Sequence, residues 1–80
     1  MIYAIVKATI KKKTEKAILI EKRQKSKWIP LSEIKPLNDE QREKYIVADC
    51  IDLEAWDESR GPCNIAIKIP GWLASKAGLL

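Results

Sequence analysis

Residues 16–34 read KAILIEKRQKSKWIPLSEI, and the fold turns on how this stretch is laid down. The apolar run Ala17-Ile18-Leu19-Ile20, bounded by charge, suits a strand covered on both faces. The polar break Lys22–Lys25 has the length of a tight connection, so Trp28-Ile29-Pro30 returns antiparallel to the run before it. Pro30 ends that return, because proline has no N–H to give to a ladder. Ser32 and Glu33 form a polar shelf before Ile34.

Toward the N-terminus, residues 2–10 alternate. Ile2, Ala4, Val6, Ala8 and Ile10 fall on one face and Tyr3, Lys7 and Thr9 on the other, with Ile5 the exception. A period of two with β-branched residues is a strand signal. Lys11-Lys12-Lys13-Thr14 then turns the chain into the second strand, making a three-stranded meander. Neither connection carries Asn-Gly or Asp-Gly, so the turn types stay open.

Toward the C-terminus the composition becomes polar over 35–44. Asn38 fits an N-cap, with Asp39 and Glu40 in the first turn where acids suit the helix dipole. One or two helical turns are expected there. YIVADCIDLEAW (45–56) fits two periods. As a strand it places Tyr45, Val47, Asp49, Ile51 and Leu53 on one face. As a helix it makes a stripe of Tyr45, Ile46, Asp49, Cys50 and Leu53. Its Ile, Val and Tyr content favours the strand. Residues 57–62, DESRGP, form a turn cluster. Residues 64–69 alternate again, with Ile65, Ile67 and Ile69 inward and Lys68 outward. Pro70 opens two helical turns, GWLASKAG, in which Trp72 is expected to clamp the helix to the sheet. Gly78 stands where a left-handed C-cap is wanted, and Leu79 supplies the accompanying apolar contact.

The fold class expected is mainly β (β-rich α+β). It is a small curled antiparallel sheet, or an SH3- or OB-like barrel, of about five strands with a short C-terminal helix. Residues 1–80 make a single domain: a basic β-meander (1–34), a polar connection (35–44), an acidic strand (45–56) and a closing strand and helix (63–80).

The net charge of +4 hides an asymmetry. Nine basic and two acidic residues give +7 over 1–30, while six basic and nine acidic residues give −3 over 31–80. Such a division bears on partners. The sequence has no histidine, which removes the commonest general base. Without a C-x-x-C pair, zinc would have to recruit carboxylates. Cys50 and Cys63 read as small buried residues, with a disulfide the alternative. No apolar run approaches the roughly 20 residues that span a bilayer. The N-terminus lacks the basic start of a signal peptide, so the cytoplasm is the expected compartment.

Three segments carry a resemblance: Lys16-Ala17-Ile18-Leu19-Ile20-Glu21, Trp28-Ile29-Pro30-Leu31-Ser32-Glu33-Ile34, and the close Ile69-Pro70-Gly71-Trp72-Leu73-Ala74-Ser75-Lys76-Ala77-Gly78-Leu79. Together they resemble a pattern in small uncharacterised proteins of phages and prophages, and they cover less than half of the chain. Gly71 stands where that pattern more often has a carboxylate, and Leu31 where it often has lysine. The resemblance implies a viral or mobile-element source, hence a host-cell cytoplasm, and a compact β-rich fold. It brings no activity with it.

No Gly-rich phosphate loop or nucleophile motif is present, so no catalytic residue, metal site or cofactor is expected. The acids Asp49, Asp52, Glu54, Asp57 and Glu58 read as a solvated edge. The candidate partner is nucleic acid. Lys7, Lys11, Lys12, Lys13, Arg23, Lys25 and Lys27 would meet phosphates, and Tyr3 or Trp28 would stack on bases. Against this, Trp28 also reads as core, and the lysines as guards against edge pairing. The alternative partner is a host protein, the chain acting as an inhibitor or modulator of a defence factor in the manner of an anti-CRISPR. Trp56, between Glu54 and Asp57, is then the anchor expected to be partly exposed.

Overall fold

Eight consecutive antiparallel rungs, from Tyr3↔Pro70 to Ile10↔Cys63, join the first strand to the last. The computed structural model describes residues 2–79; Met1 and Leu80, the ends of the expected domain, lie outside the described residues. The elements in order are β1 (Tyr3–Lys13), β2 (Ala17–Lys22), β3 (Lys25–Pro30), α1 (Asp39–Tyr45), β4 (Cys50–Asp52), β5 (Cys63–Pro70) and α2 (Gly71–Lys76). They form one sheet in the order β3-β2-β1-β5-β4. The mainly-β class, the five strands, the opening meander and the short terminal helix are as the sequence implied.

Three expectations about the sheet need correction. The sheet is mixed, because β4 runs parallel to β5, and it does not close into a barrel: β3 and β4 are its edges. The reason lies in residues 31–49. After Pro30 the chain makes a single 3₁₀ turn (Leu31–Glu33) and passes from the β3 edge to the far edge. There Lys35 bridges Lys68 of β5 antiparallel. The segment containing α1 then reverses the chain, so β4 returns to the same edge in the opposite sense. The acidic strand is also shorter than 45–56. Only Cys50–Asp52 pairs as a strand, and a 3₁₀ turn (Leu53–Ala55) follows, capped by the Asp52 side chain accepting from the Glu54 N–H.

That turn carries Trp56 inward. Trp56 is only 3% exposed, and its indole Nε1 donates to the Gly61 carbonyl at 2.7 Å. Burial with its one donor satisfied costs little and adds a large apolar area. The expectation of an exposed Trp56 therefore fails, and so does its proposed role as an anchor. It joins a core in which Val6, Ala8 and Ile10 of β1 meet Ile18, Ile20, Ile29, Ile65, Ile67 and Ile69, with Leu31, Ile34 and Leu53 packed against them. The terminal helix closes the core with Ala74 and Leu79, while Trp72, expected as the clamp, is 55% exposed and lies outside that core.

Local signals account for the helix ends. Asn38 accepts from the Gln41 N–H at 2.8 Å and the Gln41 side chain accepts from the Asn38 N–H at 3.0 Å, a reciprocal cap at the expected residue. Gly78 has φ +72, Leu79 N–H returns to the Ala74 carbonyl and Gly78 N–H to that of Ser75. This pair of bonds satisfies carbonyls that α2 would leave open.

The β2–β3 connection is the two residues Arg23-Gln24, with φ of 54 and 68. Positive φ at both centres makes a type I′ turn, which matches strand twist but usually requires Asn and Gly. A side chain there bears roughly 1–2 kcal/mol of left-handed strain, against which a glycine adds about 0.4–1 kcal/mol of unfolded-state entropy. Gln24→Gly is therefore expected to raise stability by roughly 0.5–1 kcal/mol, read as a higher urea midpoint with an unchanged slope.

Candidate nucleic-acid interface

Strand parity sends a second set of side chains away from the core. Tyr3, Ile5, Lys7 and Thr9 of β1 face this way, beside Leu19 and Glu21 of β2, Trp28 of β3, and Asn64 and Lys68 of β5. Trp28 sits opposite Leu19 and is 53% exposed. The core position in β3 belongs to Ile29, so the reading of Trp28 as core does not hold.

A bulge enriches the face. The β1–β2 register shifts between Ile10↔Ile20 and Lys12↔Leu19, which inserts Lys11. Lys12 then shares the face of Leu19, and Lys11 reaches Glu21 at 3.5 Å. Two successive lysines thus serve one face, which a regular strand does not allow. At the far side α1 roofs part of the sheet: Lys68 Nζ donates to Gln41 at 3.4 Å, Arg42 pairs with Asp52 at 2.7 Å, and Ala66 and Cys50 are buried. Over β1, β2 and β3 the face is open.

The expected site residues therefore separate. Lys7, Lys11, Lys12 and Trp28 share the open face, with Trp28 level with Lys12, whereas Tyr3 has the same parity but stands at the other end of β1, beside Lys68, where β2 does not reach. Lys13, opposite Ile18, points to the core side, where it rims a cleft beside Leu31 and Leu53. Lys25 and Lys27 have the core-side parity of Ile29 but lie exposed on the outer strand. Arg23 stands at the hairpin tip. Lys68, whose Nζ lies 5.7 Å from the centroid of the Tyr3 ring, adds a cation that strand alternation alone would have supplied.

A concavity of about 360 Å³ runs across the strands on this face, between the Arg23-Gln24 turn and Asp49. Its floor is the row Glu21, Thr9, Asn64 and Cys50, with Thr9 donating its hydroxyl to Asn64 at 3.1 Å and Lys7 alongside. Lys7 and Arg23 stand against Glu21 and Asp49 here, while Lys22, on the rim, donates its ammonium to the Leu79 carbonyl on the core side. The concavity suits a ligand with hydrogen-bonding edges better than an apolar one.

Two of the downstream acids, Asp52 and Asp57, are engaged locally. Asp52 pairs with Arg42 and caps a turn. Asp57 accepts from the Ser59 hydroxyl and backbone, which holds its carboxyl below the usual range. Among the described residues no three His, Cys, Asp or Glu side chains gather as a metal site, and no helix is long and apolar enough to cross a membrane.

The cysteines are free and face opposite ways. Cys50 stands opposite Asn64 on the outer face, whereas Cys63 pairs with Ile10 on the core side. Their vectors forbid a bridge without backbone movement. Burial pushes the Cys50 thiol above its ordinary range; Lys7 opposes that shift and Asp49 adds to it. Because its folded value is raised, Cys50 stays a thiol at mildly alkaline pH, where an unfolded cysteine ionises and the folded state loses stability. Iodoacetamide at pH 8.5 should therefore modify Cys63 first and Cys50 only after urea is added, as peptide mass mapping would register.

No protein-family model, curated protein or solved structure matches this chain, so the reading of the open face rests on its own geometry.

Proposed function

We propose that the chain is a non-enzymatic accessory protein of phage or prophage origin that binds nucleic acid through the open face of β1, β2 and β3. One observation carries this reading: the half-exposed Trp28 lies on the same face as Lys7, Lys11 and Lys12. A tryptophan at such a position, with apolar neighbours and core burial one residue away, contributes little to folding for the area it leaves in water. Beside a line of ammonium groups it makes a stacking surface next to phosphate contacts.

Lys7 and Lys12 are the lysines to test, because Lys11 is partly engaged by Glu21. In Lys7→Glu/Lys12→Glu, affinity should fall at least tenfold for every oligonucleotide sequence. The slope of log affinity against log salt should also become shallower by roughly 1.4–1.8, the share of two phosphate contacts. Fluorescence anisotropy at low and moderate salt reads both quantities, and unchanged affinity would overturn the assignment.

A second reading is favoured by Trp72, which α2 holds 55% exposed away from the lysine face. A host protein docking there makes a salt-tolerant complex that survives nuclease. Capture from nuclease-treated lysate, lost in Trp72→Ala and kept in the double lysine variant, would move the function to that surface.

A further inference from the structure

Resting on the nucleic-acid reading of this face, we infer that its ligand is single-stranded, with phosphates along β1 and an unstacked base on Trp28. The face is divided lengthwise. Its cations Lys7, Lys11 and Lys12 all lie on β1, whereas β2 and β3 present Ala17, Leu19, Trp28 and Pro30 and, nearer the hairpin, Ser26 and Glu21, the acid that pairs with Lys11. Two strand spacings, about 10 Å, separate Lys12 from Trp28 at the same level, and Lys7 stands about 13 Å further along β1.

A duplex meets only half of this pattern. Its bases are stacked inside, so phosphates could engage the lysines while Trp28 and Leu19 stayed in water. A single strand brings a row of phosphates and free base faces together, and fills both columns. The concavity beside Lys7 adds amide and hydroxyl groups at Asn64 and Thr9, which suit the edge of a splayed base.

The helices offer a duplex little. α1 begins with Asp39 and Glu40, and α2 is six residues long with one lysine near its end. What could enter a major groove is the β2–β3 ribbon, led by Arg23 and Lys25. That docking would rely on Lys25 and Lys27 and leave Trp28 without a stacked base. A second copy of the chain is a poor occupant, because it would set the same lysine column against itself.

The test compares a short labelled single strand with a hairpin duplex of the same composition, by anisotropy at one moderate salt concentration. The single strand is expected to bind at least tenfold more tightly. Trp28→Ala should abolish most of that preference, and Trp28→Tyr should keep it. In a Trp72→Phe background Trp28 is the remaining exposed tryptophan, and its fluorescence should quench on saturation with the single strand. Equal or tighter duplex binding, indifferent to Trp28→Ala and lost in Lys25→Glu/Lys27→Glu, would overturn the inference while leaving nucleic-acid binding intact. Failure of both forms to bind at low salt would overturn the two readings together.

Discussion

The ladder between β1 and β5 constrains everything else. Its rungs pair Ala4 with Ile69, Val6 with Ile67 and Ala8 with Ile65, so each core-side rung joins two apolar side chains. A slip of one residue would turn all of them outward, which makes this register expensive to change. β2 and β3 hang on one side of the ladder, while β4 and the Lys35 bridge hang on the other. The same alternation that buries Val6 and Ala8 obliges Lys7 and Thr9 to point away. The open face is thus a by-product of the core, and its composition is where sequence had freedom.

That freedom has been used in two ways. The lysines of β1 stand beside apolar side chains on a sheet face. Lys25 and Lys27 instead lie on the outermost strand, where charge and the terminal Pro30 discourage another chain from pairing with the edge. A single basic patch and a set of edge guards are therefore both present, in different residues.

Much of this architecture is legible in the sequence. Alternation places β1 and β5, Asn38 and Gly78 announce helix ends, and Pro30 and Pro70 mark strand ends. Three features are not legible there. Residues 45–56 satisfy two periodicities, and their outcome depends on β5, a partner reached only after another turn. The parallel sense of β4 follows from the reversal around α1, which no local pattern encodes. The tryptophans mislead for a different reason. A two-residue loop at Arg23-Gln24 sets Trp28 opposite Leu19, outside the face of Ile18 and Ile20. Reading that loop needs left-handed conformations that Arg and Gln do not advertise. Acids flank Trp56 and suggest exposure, yet a 3₁₀ turn on each side lets those acids stay in solvent while the ring goes in.

The bulge in β1 bears on how the chain tolerates changes in length. Loss of one residue within Val6–Ile10 would transfer half of the strand to the wrong face. Loss of Lys11 would instead restore a regular ladder, with Lys12 still opposite Leu19 and Lys13 still opposite Ile18. Register therefore does not need the eleventh residue. Its structural product is a second ammonium group on the open face, so this is the place in β1 where a change of length alters surface charge and leaves the core as it was.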